Sequence, residues 1–397
     1  MGKRVWDNRK LGGRIEKMIA LSEDQKRALE GLLEWQRRPK KQFISLGGYA
    51  GTGKTSLIAE LRRKLPKKIK IAFASFTGKA ARVLRGKLVE GKAIYEKDSC
   101  GTIHSLIYSP IVNDKEEIVG WERKEEVEAD LIVIDEASMV DESIWTDLCG
   151  YGKPIVAVGD HGQLPPIRGS FNLMAKPDLL LEKIHRQARG NPIIEVSVWA
   201  RKTGKIPVAR YGDLVRKIRR EEGGEEIEEI LKNYNEEWMI LCGYNKSRIR
   251  LNNIIRQYQE KNPFGPVGRD RVICLRNNHS KMIFNGMLGT LIEIEDEGEF
   301  YRGKIAMDGE EDEYEGLILK EQFGREGAIN FSEQRYKSLK ADLFDWGYVL
   351  TVHKAQGSQA KRVLLFEERF SQMDEDEWRK WLYTGVSRAE EELLVVG

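Results

Sequence analysis

The chain of 397 residues is 41% hydrophobic and 32% charged, which is the composition of a soluble globular protein. Its length favours two to three domains. No apolar run approaches the roughly 18 residues that a membrane helix needs, and no apolar segment with a cleavage site follows the basic N-terminus. We therefore expect neither a membrane partner nor a secretion signal.

The four cysteines lie far apart in the sequence and form no C-x-x-C pair. This spacing argues against a zinc site or a disulfide framework. It favours a reducing, cytoplasmic location. The four residues are Cys100, Cys149, Cys242 and Cys274.

The net charge of +3 says little, but the charge is unevenly distributed. Residues 1–90 hold 23 basic and 8 acidic side chains, a net charge of +15, whereas residues 291–315 hold 2 basic and 11 acidic side chains, a net charge of −9. The basic third suits a polyanion partner such as DNA. An unevenly charged, solvated surface explains it equally well. The acidic stretch is not expected to touch phosphates.

Residues 1–20 are predicted to form a basic tail that leads into the first helix. Ser22 is suited to cap that helix, because Gln25 follows three residues later and the two side chains can form a capping box.

A glycine-rich loop follows the next apolar run. Residues Gly48–Thr55 read GYAGTGKT and fit the phosphate-loop pattern G-x-x-x-x-G-K-[ST]. Phe43–Leu46 predicts a strand before the loop, and Ser56–Leu65 predicts a helix behind it. Glycines let successive N–H groups point at phosphate oxygens, and the helix N-terminus adds positive potential. Lys54 is predicted to reach the β- and γ-phosphates of ATP and Thr55 to bind Mg²⁺, with a glycine-rich surface turn as the alternative.

Further short apolar runs, separated by helical segments, indicate a parallel sheet covered on both faces. Ligands bind such sheets at the carboxyl ends of the strands, where polar residues follow these runs. A β-hairpin with a polar tip is predicted at 106–124. The runs are Ile71–Ala74, Leu131–Ile134 and Ile155–Val158.

Two neighbouring carboxylates, Asp135 and Glu136, follow one of these runs. A carboxylate at a strand end near a phosphate loop can hold Mg²⁺, and the next can orient or deprotonate the attacking water. We assign Asp135 to the metal and Glu136 to the base; an acidic turn is the alternative. Gln163, after the following run, is predicted to bond the γ-phosphate or the water. Pro165–Pro166 either presses on a base or forms a stiff loop.

A second series of runs begins after Asn191-Pro192, which is predicted to start a helix through about Lys202. These runs indicate a second α/β layer. Residues 265–340 differ, because β-like runs broken by Asn-Gly and Asp-Gly turns predict a small barrel-type insert. The α/β runs are Trp238–Cys242, Tyr348–Thr351, Val363–Phe366 and Leu393–Val396, and the insert runs are Val272–Leu275, Leu288–Ile294 and Tyr301–Met307.

Two arginines in the second half are candidates for phosphoryl transfer. Arg186 lies in the segment EKIHRQ and Arg388 in the segment YTGVSRA. Phosphoryl transfer spreads negative charge over the γ-oxygens, and an arginine reaching in from another domain stabilises that charge. By spacing alone, a surface or salt-bridged arginine is the more common explanation for each.

In this order, the segments resemble the motifs of superfamily 1 DNA helicases of the 5′-to-3′ branch, and the chain is similar to the RecD-like and phage Dda-like enzymes. The similarity spans about residues 21–397. From the upstream glutamine to motif VI, the matching segments are Gln25, Gly48–Thr55, Phe76–Ala81, Thr102–His104, Asp135–Val140, Gly159–Pro166, Ile184–Gln187, Thr351–Ser358 and Tyr383–Ala389.

This resemblance implies roles residue by residue. Gln25 is the glutamine that reads adenine, and Arg186 and Arg388 are the γ-phosphate arginines. His185 stands where an aromatic ring often stacks on adenine, and Gln359 where many relatives carry an acidic residue toward the ribose. Further implied nucleotide contacts are Gly48, Ala50, Gly51, Thr52, Gly53, Lys54, Thr55 and Gly357. The implied single-strand track contains Thr77, Lys79, His104, Pro165, Pro166, Thr351, His353 and Lys354.

The resemblance also implies an α/β architecture of two RecA-like P-loop domains with parallel sheets and ATP·Mg²⁺ between them. The first covers residues 21–180 and carries the hairpin at 106–124 as a strand-separating pin. The second covers 181–264 and 341–397, with the small β-barrel insert at 265–340. The implied activity is ATP-driven 5′-to-3′ translocation on single-stranded DNA and unwinding of duplex DNA. We expect a monomer that acts at single/double-strand junctions, with replication or repair proteins as partners.

Two other functions remain open at this point. The first is a single-stranded DNA translocase or remodelling ATPase with little duplex unwinding. The second is a nucleotide-gated DNA-binding module with little turnover, against which the intact set of Lys54, Glu136 and Arg388 argues. A small-molecule kinase shares the phosphate loop but does not need the ordered downstream motifs.

Overall fold

The computed structural model describes residues 21–112, 118–165, 171–183, 190–278, 281, 283–310, 312–329 and 340–397. The predicted tail at 1–20 lies outside the described residues, as do parts of the predicted hairpin and insert. Among the helices of the described ranges, none combines the length and the apolar character that crossing a bilayer requires.

The first half alternates buried strands with short helices. The predicted capping box of Ser22 and Gln25 is present at the start of the first helix. The second helix begins at Lys54, two residues before the predicted start, because Gly53 turns the chain with φ 81°. In chain order, the elements are α1 (Glu23–Arg37), β1 (Phe43–Gly48), α2 (Lys54–Lys64), β2 (Ile71–Ser75), α3 (Gly78–Glu90), β3 (Ser99–Thr102), α4 (Ile103–Ile107), β4 (Tyr108–Val112), β5 (Ile118–Arg123), β6 (Leu131–Asp135), α5 (Glu142–Cys149), β7 (Ile155–Gly159) and β8 (Leu179–Leu181).

The second half contains a similar alternation, interrupted by long antiparallel strands. Its first helix starts at Pro192, after Asn191 caps it through the Ile193 N–H. In chain order, the elements are α6 (Pro192–Thr203), β9 (Ala209–Arg210), β10 (Val215–Ile218), α7 (Gly224–Lys232), β11 (Trp238–Cys242), α8 (Asn245–Tyr258), β12 (Arg271–Cys274), β13 (Leu288–Glu297), β14 (Phe300–Met307), β15 (Glu313–Leu319), β16 (Phe344–Trp346), β17 (Val349–Thr351), β18 (Ala360–Phe366), α9 (Glu375–Val386) and β19 (Ala389–Val396).

The first sheet has the strand order β3-β2-β6-β7-β1-β8. All of its pairings are parallel, which confirms the predicted parallel α/β arrangement. Buried side chains pack in separate clusters on its two faces, so the strands are apolar on both sides. Because β1, β7 and β6 are neighbouring parallel strands, the loops that follow them meet at the carboxyl edge of the sheet, where ligands of such sheets bind.

The second sheet has the order β17-β11-β18-β19-β10-β9. Its pairings are parallel except that of the short edge strand β9 with β10. Helices α6 and α9 pack on it, and Trp381 of α9 is fully buried in that core. Leu164, from the loop after β7, belongs to the same core cluster, so the two sheets share buried apolar surface at their junction.

A five-stranded antiparallel sheet with the order β15-β14-β13-β12-β16 follows α8. Strand β15 had no counterpart among the predicted runs, and β16 lies beyond the predicted boundary at residue 340. An isolated bridge between Ile318 and Asp342 connects the two edges of this sheet. Strands β4 and β5 form a separate antiparallel pair with an irregularity at Ile111 and Val112.

Candidate functional site

The phosphate loop lies between β1 and α2 and depends on its glycines. Gly51 and Gly53 have φ values of 77° and 81°, in the left-handed region that disfavours other residues. A Cβ atom on Gly48 would lie 2.6 Å from Thr52 Oγ1 and 3.2 Å from Lys54 Cγ. A side chain at this position would therefore collide with two other residues of the loop. The loop forms a backbone cradle of the kind that surrounds phosphate.

Lys54, the first residue of α2, turns back over this loop. Its Nζ donates to the carbonyl oxygens of Gly48 at 2.7 Å and Tyr49 at 3.2 Å and lies 4.0 Å from the Asp160 carboxylate. Neutral carbonyls are weaker partners for an ammonium than phosphate oxygens. The phosphate oxygens of a bound triphosphate can therefore replace these two carbonyls as acceptors for Lys54 Nζ. Thr55 lies in the same helical turn and is half-buried.

Gln25 reaches the loop from α1 and is 1% exposed. Its Nε2 donates to the Thr52 carbonyl at 3.0 Å, and its Oε1 accepts the Ser22 N–H at 3.1 Å. Both ends of the amide are thus engaged. The second N–H of Nε2 and the second lone pair of Oε1 are left for the predicted role in reading adenine.

Asp135 and Glu136 stand at the end of β6, as predicted from sequence. Burial, together with the adjacent Glu136 carboxylate, raises the pKa of Asp135 to about 6, while Lys54 opposes the shift. Glu136 has φ 56°, a conformation that costs a non-glycine residue about 1–3 kcal/mol and is common at functional sites. Within the described part of the chain, its buried Oε2 has no hydrogen-bond partner. Such an oxygen fits a water or a ligand donor.

Gln163 and Asp160 share the loop after β7. Asp160 is 1% exposed and accepts the Gly162 N–H at 2.9 Å and the Tyr383 hydroxyl at 2.6 Å. Gln163 Nε2 reaches the same carboxylate at 3.5 Å, and its buried Oε1 lacks a partner among the described residues. Sequence analysis singled out Gln163 and passed over Asp160. The missed signal was a carboxylate directly after a buried parallel strand, the same signal that identified Asp135.

Arg388 brings a cation from the second sheet to this edge. It is 2% exposed and is held by the carbonyls of Thr384 at 3.0 Å and Ser358 at 3.1 Å. Burial lowers the pKa of its guanidinium, and the carboxylates of Glu136 and Asp160 oppose that shift. The guanidinium is therefore within electrostatic range of both carboxylates of the first sheet, although it comes from the other half of the chain.

The loop after β7 is clamped by the second sheet through Leu164. Its N–H donates to Thr384 Oγ1 at 3.0 Å, and its carbonyl accepts Gln356 Nε2 at 2.6 Å. Gly357, with φ 72°, packs against Met139 from the segment behind Glu136, and a side chain there would collide with the Met139 sulfur. Two motifs of the second half thus contact two loops of the first.

Several predicted site residues lie outside the described part of the chain. His185, Arg186 and Pro166 belong to this group, as does the side chain of Lys79, whose backbone lies in α3. Gln359 is described and is exposed. The predicted ribose and base contacts of the second half therefore stay predictions.

Among the predicted single-strand contacts, Thr77 caps α3 by accepting the Ala80 N–H at 3.2 Å. Pro165 is exposed, and Thr351 is 6% exposed. His353 and Lys354 are half-buried. Burial lowers the pKa of His353.

His104 differs from the sequence expectation of a residue that lines an open track. It is 1% exposed, and its imidazole stacks on Phe284 with ring centroids 3.9 Å apart. Phe76 meets it edge-on at 5.9 Å. Phe284 lies between β12 and β13, so the aromatic stack joins α4 to the antiparallel sheet. In this structure the ring supports that contact from beneath the surface.

A groove runs between the start of α3, the antiparallel sheet and the second sheet, and Thr77 and Gln359 are among its lining residues. Glu310, from the acidic stretch, also lines it and packs directly against Gly78. Burial raises the pKa of Glu310, and Arg82 opposes the shift. One carboxylate of the acidic stretch, which is not expected to touch phosphates, thus lies beside the start of α3.

Two known families match parts of this chain. The family described as "AAA domain" matches residues 20–237, more than half of the chain, and the chain belongs to this family. The family described as "UvrD-like helicase C-terminal domain" matches residues 347–396, which include Gln356, Tyr383 and Arg388.

Individual relatives agree with the family match. The chain is 27% identical over 405 residues to the ATP-dependent RecD2 DNA helicase of Deinococcus radiodurans, covering 94% of this chain and 50% of that protein. It is 24% identical over 458 residues to the ATP-dependent DNA helicase dda of Enterobacteria phage T4, covering 95% and 99%. The chain spans about half the length, or less, of the first curated relatives it matches. The resemblance to RecD-like and Dda-like superfamily 1 helicases is thereby confirmed.

Solved structures add a likeness of fold. The crystal structure of Pif1 helicase from Bacteroides in complex with ADP-AlF3 and ssDNA matches with a TM-score of 0.50 and 17% sequence identity, covering 95% of this chain and 92% of that chain. At this identity the likeness concerns the fold alone.

Proposed function

We propose that the chain is an ATP-dependent DNA helicase that moves 5′ to 3′ along a single strand and unwinds duplex DNA. The observation that carries the proposal is the meeting of the two halves: Thr384 and Gln356 of the second half bond Leu164 in the loop after β7, and Arg388 is bonded to the Thr384 carbonyl. A triphosphate bound at the loop would thus be in reach of groups from both halves. The names of the RecD2 and dda relatives support the activity.

The closed cradle of the phosphate loop and the position of Lys54 fit a triphosphate. Thr55 and Asp135 would hold Mg²⁺, which would supply charge neutralisation at the phosphates. Replacement of the lysine's two carbonyl partners by phosphate oxygens makes binding favourable. Gln25, which is bonded to the loop through the Thr52 carbonyl, is proposed to contact the adenine base. The remaining proposed nucleotide contacts are Gly48, Ala50, Gly51, Thr52, Gly53, His185, Gly357 and Gln359.

Glu136 is the proposed general base. Its orphaned Oε2 is available to accept a hydrogen bond from the attacking water and then its proton. Gln163, whose Oε1 also lacks a partner among the described residues, would orient the same water. Arg186 and Arg388 would stabilise the negative charge that develops on the γ-oxygens.

Movement follows from the division of this set between two RecA-like domains, proposed at residues 21–180 and at 181–264 with 341–397. The arginines gain charge-assisted bonds to the triphosphate only when the cleft is shut. Hydrolysis and phosphate release remove that differential contact, and the cleft reopens. A single strand that lies across both domains would be gripped by each in turn. The proposed strand contacts are Thr77, Lys79, Pro165, Pro166, Thr351, His353 and Lys354, and His104 is proposed to support this surface from beneath.

Two further segments would complete the machine. The hairpin within 106–124 is the proposed wedge at the first base pair. The segment at 265–340 is the proposed small barrel that closes around the DNA, which the bridge between Ile318 and Asp342 supports. We propose that the chain works as a monomer at single/double-strand junctions.

The runner-up function is a translocase that strips or remodels single-stranded DNA complexes and hardly opens duplexes. The test compares duplexes that carry a 5′ or a 3′ single-stranded tail, with Lys54→Ala as the control. We expect ATP-dependent unwinding from 5′ tails only and none from Lys54→Ala. Unwinding from 3′ tails alone would overturn the direction. DNA-stimulated ATP hydrolysis without strand displacement would favour the translocase.

Binding of single-stranded DNA is expected to weaken from about pH 7 to about pH 9 as Lys354 loses its charge. Burial and the neighbouring Arg248 lower the pKa of Lys354 to about 8, and Asp345 opposes them. A lysine with a lowered pKa carries its charge below that value, so the phosphate contact is lost as the pH rises through it. Fluorescence anisotropy of a labelled oligonucleotide at constant ionic strength measures the change.

The matched variant for this pH dependence is Lys354→Arg, because arginine stays charged across the range. It should bind about equally at both pH values. If Lys354→Arg shows the same loss of affinity as the unmodified protein, Lys354 is not the group responsible.

A further inference from the structure

We propose that Tyr383 is a positioning residue of the nucleotide site, which sets the phosphate loop and Lys54 according to the position of α9. The inference rests on the proposed function and adds a residue to which sequence analysis gave no role. Tyr383 is fully buried and belongs to the second half, yet both hydrogen-bond partners of its hydroxyl belong to the first half.

The hydroxyl of Tyr383 forms a two-bond bridge. It donates to Asp160 Oδ2 at 2.6 Å and accepts the Ala50 N–H of the phosphate loop at 2.7 Å. A phenol that donates to a carboxylate becomes a better acceptor, since linked hydrogen bonds polarise one another. One oxygen atom thus ties the loop after β1 to the loop after β7.

The bridge extends to the lysine of the phosphate loop. The oxygen of Asp160 that accepts the Tyr383 hydroxyl also lies 4.0 Å from Lys54 Nζ. If the phenol is removed, this buried carboxylate loses its shortest donor, and an unsatisfied buried charge is costly. Lys54 is the cation that the described residues place closest to this carboxylate, and it would be drawn away from the phosphates.

The neighbouring loop residue, Tyr49, is also held from the second half. Its ring meets the Tyr383 ring edge-on at 5.9 Å, and the guanidinium of Arg201 from α6 lies over it at 3.8 Å. His161 packs against the same ring at 4.2 Å. Two consecutive residues of the phosphate loop, Tyr49 and Ala50, are therefore in contact with the second half.

Helix α9 connects this bridge to the arginine. Tyr383 and Thr384 lie in its last turn, and Arg388 follows directly, bonded to the Thr384 carbonyl. Thr384 in turn holds the Leu164 N–H. A displacement of α9 therefore moves Arg388, the loop after β7 and the Tyr383 bridge together. The hydroxyl makes the shape of the phosphate loop depend on whether the second half is in place.

The test compares Tyr383→Phe with Tyr348→Phe, which removes the same kind of bridge elsewhere. The Tyr348 hydroxyl donates to buried Asp270 at 2.6 Å and accepts from Lys261 Nζ at 2.6 Å, and its side chain is 2% exposed. The two variants lose the same chemical group from similar surroundings. They should lose similar thermal stability but differ at the nucleotide site.

We expect Tyr383→Phe to lower the DNA-stimulated kcat for ATP by about tenfold or more, with KM changed less than about threefold, because the loop still binds the ground-state triphosphate while the displaced Lys54 stabilises the transition state less. Tyr348→Phe should match the unmodified protein. Hydrogen exchange followed by mass spectrometry supplies a readout that needs no activity. The peptide spanning Gly48–Thr55 should exchange faster in Tyr383→Phe alone, because Ala50 N–H has lost its acceptor.

The outcomes separate this inference from the proposed function. If the unmodified protein hydrolyses no ATP, the proposed function fails, while the exchange result still decides the role of Tyr383. Unchanged exchange in the loop, a rise in KM without a fall in kcat, or equal losses in the two variants would each overturn the positioning role.

Discussion

Replacing Arg388 by alanine will lower DNA-stimulated ATP hydrolysis on the order of 10³-fold, the range measured for arginines that stabilise phosphoryl transfer. Arg388 is 2% exposed, and the carboxylates of Glu136 and Asp160 oppose the burial that lowers the pKa of its guanidinium, so it acts at low dielectric, where charge stabilisation is strongest. The loop and Lys54 remain in place. Nucleotide affinity should therefore change far less than the rate, as measured with a fluorescent ATP analogue.

Two control variants accompany this prediction: one keeps the positive charge at position 388, and the other removes a positive charge elsewhere. Arg388→Lys keeps the cation but loses the planar fork, and it should recover only part of the rate. Arg362→Ala removes a cation of β18 that is 43% exposed and paired with Glu392 at 3.3 Å, and it should leave hydrolysis unchanged. A rate for Arg388→Ala above about a tenth of the original, with the protein folded, would contradict the assignment.

The core strands of both parallel sheets could be predicted from sequence because their apolar runs are local signals. Four runs of the first half became β1, β2, β6 and β7, and each strand continues one or two residues past the predicted end. Those extra residues include Asp135 and Gly159, which are not apolar and therefore do not extend the hydrophobic run from which a strand is predicted. Backbone pairing, which depends on the neighbouring strand, extends the element there.

The missed strands have non-local causes. Strand β15 has the sequence EYEGLIL, and its acidic first residues resemble a solvated loop. Its side chains Tyr314 and Ile318 are nevertheless buried in the core of the antiparallel sheet. Strand β16 centres on Asp345, which is fully buried and bonded to Arg248 at 2.7 Å. A buried ion pair between distant residues leaves no periodic signal, so β16 was not predicted as a strand of this sheet.

In the candidate site, too, residues in local patterns could be predicted from sequence, whereas residues that depend on distant contacts could not. The loop glycines, Lys54 and the pair after β6 could be assigned because pattern and strand position are both local. Asp160 and Tyr383 could not, since their hydrogen bond joins residues 223 positions apart. His104 could be placed in a motif, but not beneath Phe284, because that contact depends on how the antiparallel sheet docks.

Deleting residues 110–120 will abolish duplex unwinding and leave DNA-stimulated ATP hydrolysis within about twofold of the original rate. The deletion removes most of β4 and half of β5, which pair only with each other among the described strands, so no parallel sheet is cut. The base of the hairpin is anchored separately. Tyr108 donates to Asp147, and the Tyr151 hydroxyl lies 2.8 Å from the Ile107 carbonyl and 2.9 Å from that of Lys124.

The energetic reason for this expected outcome is that the proposed wedge would act on the duplex, whereas the deletion removes no residue of the proposed nucleotide site. Separating one base-pair step costs about 1–2 kcal/mol, and a pin that holds the separated bases prevents them from closing again. A protein without the pin still cycles on single strands but lets the junction reanneal. Strand displacement is measured on a 5′-tailed duplex, and hydrolysis on an unpaired oligonucleotide.

The control replaces Ile111, which is 40% exposed on the hairpin, by serine in the full-length hairpin. We expect this variant to lose part of the unwinding rate and none of the hydrolysis, because one apolar contact with the base pair is removed while the backbone of the wedge stays. If the deletion abolishes hydrolysis as well, the hairpin serves the fold. If unwinding survives the deletion, another segment separates the strands, and the exposed loop at Pro165, adjacent to the clamped Leu164, becomes the next candidate.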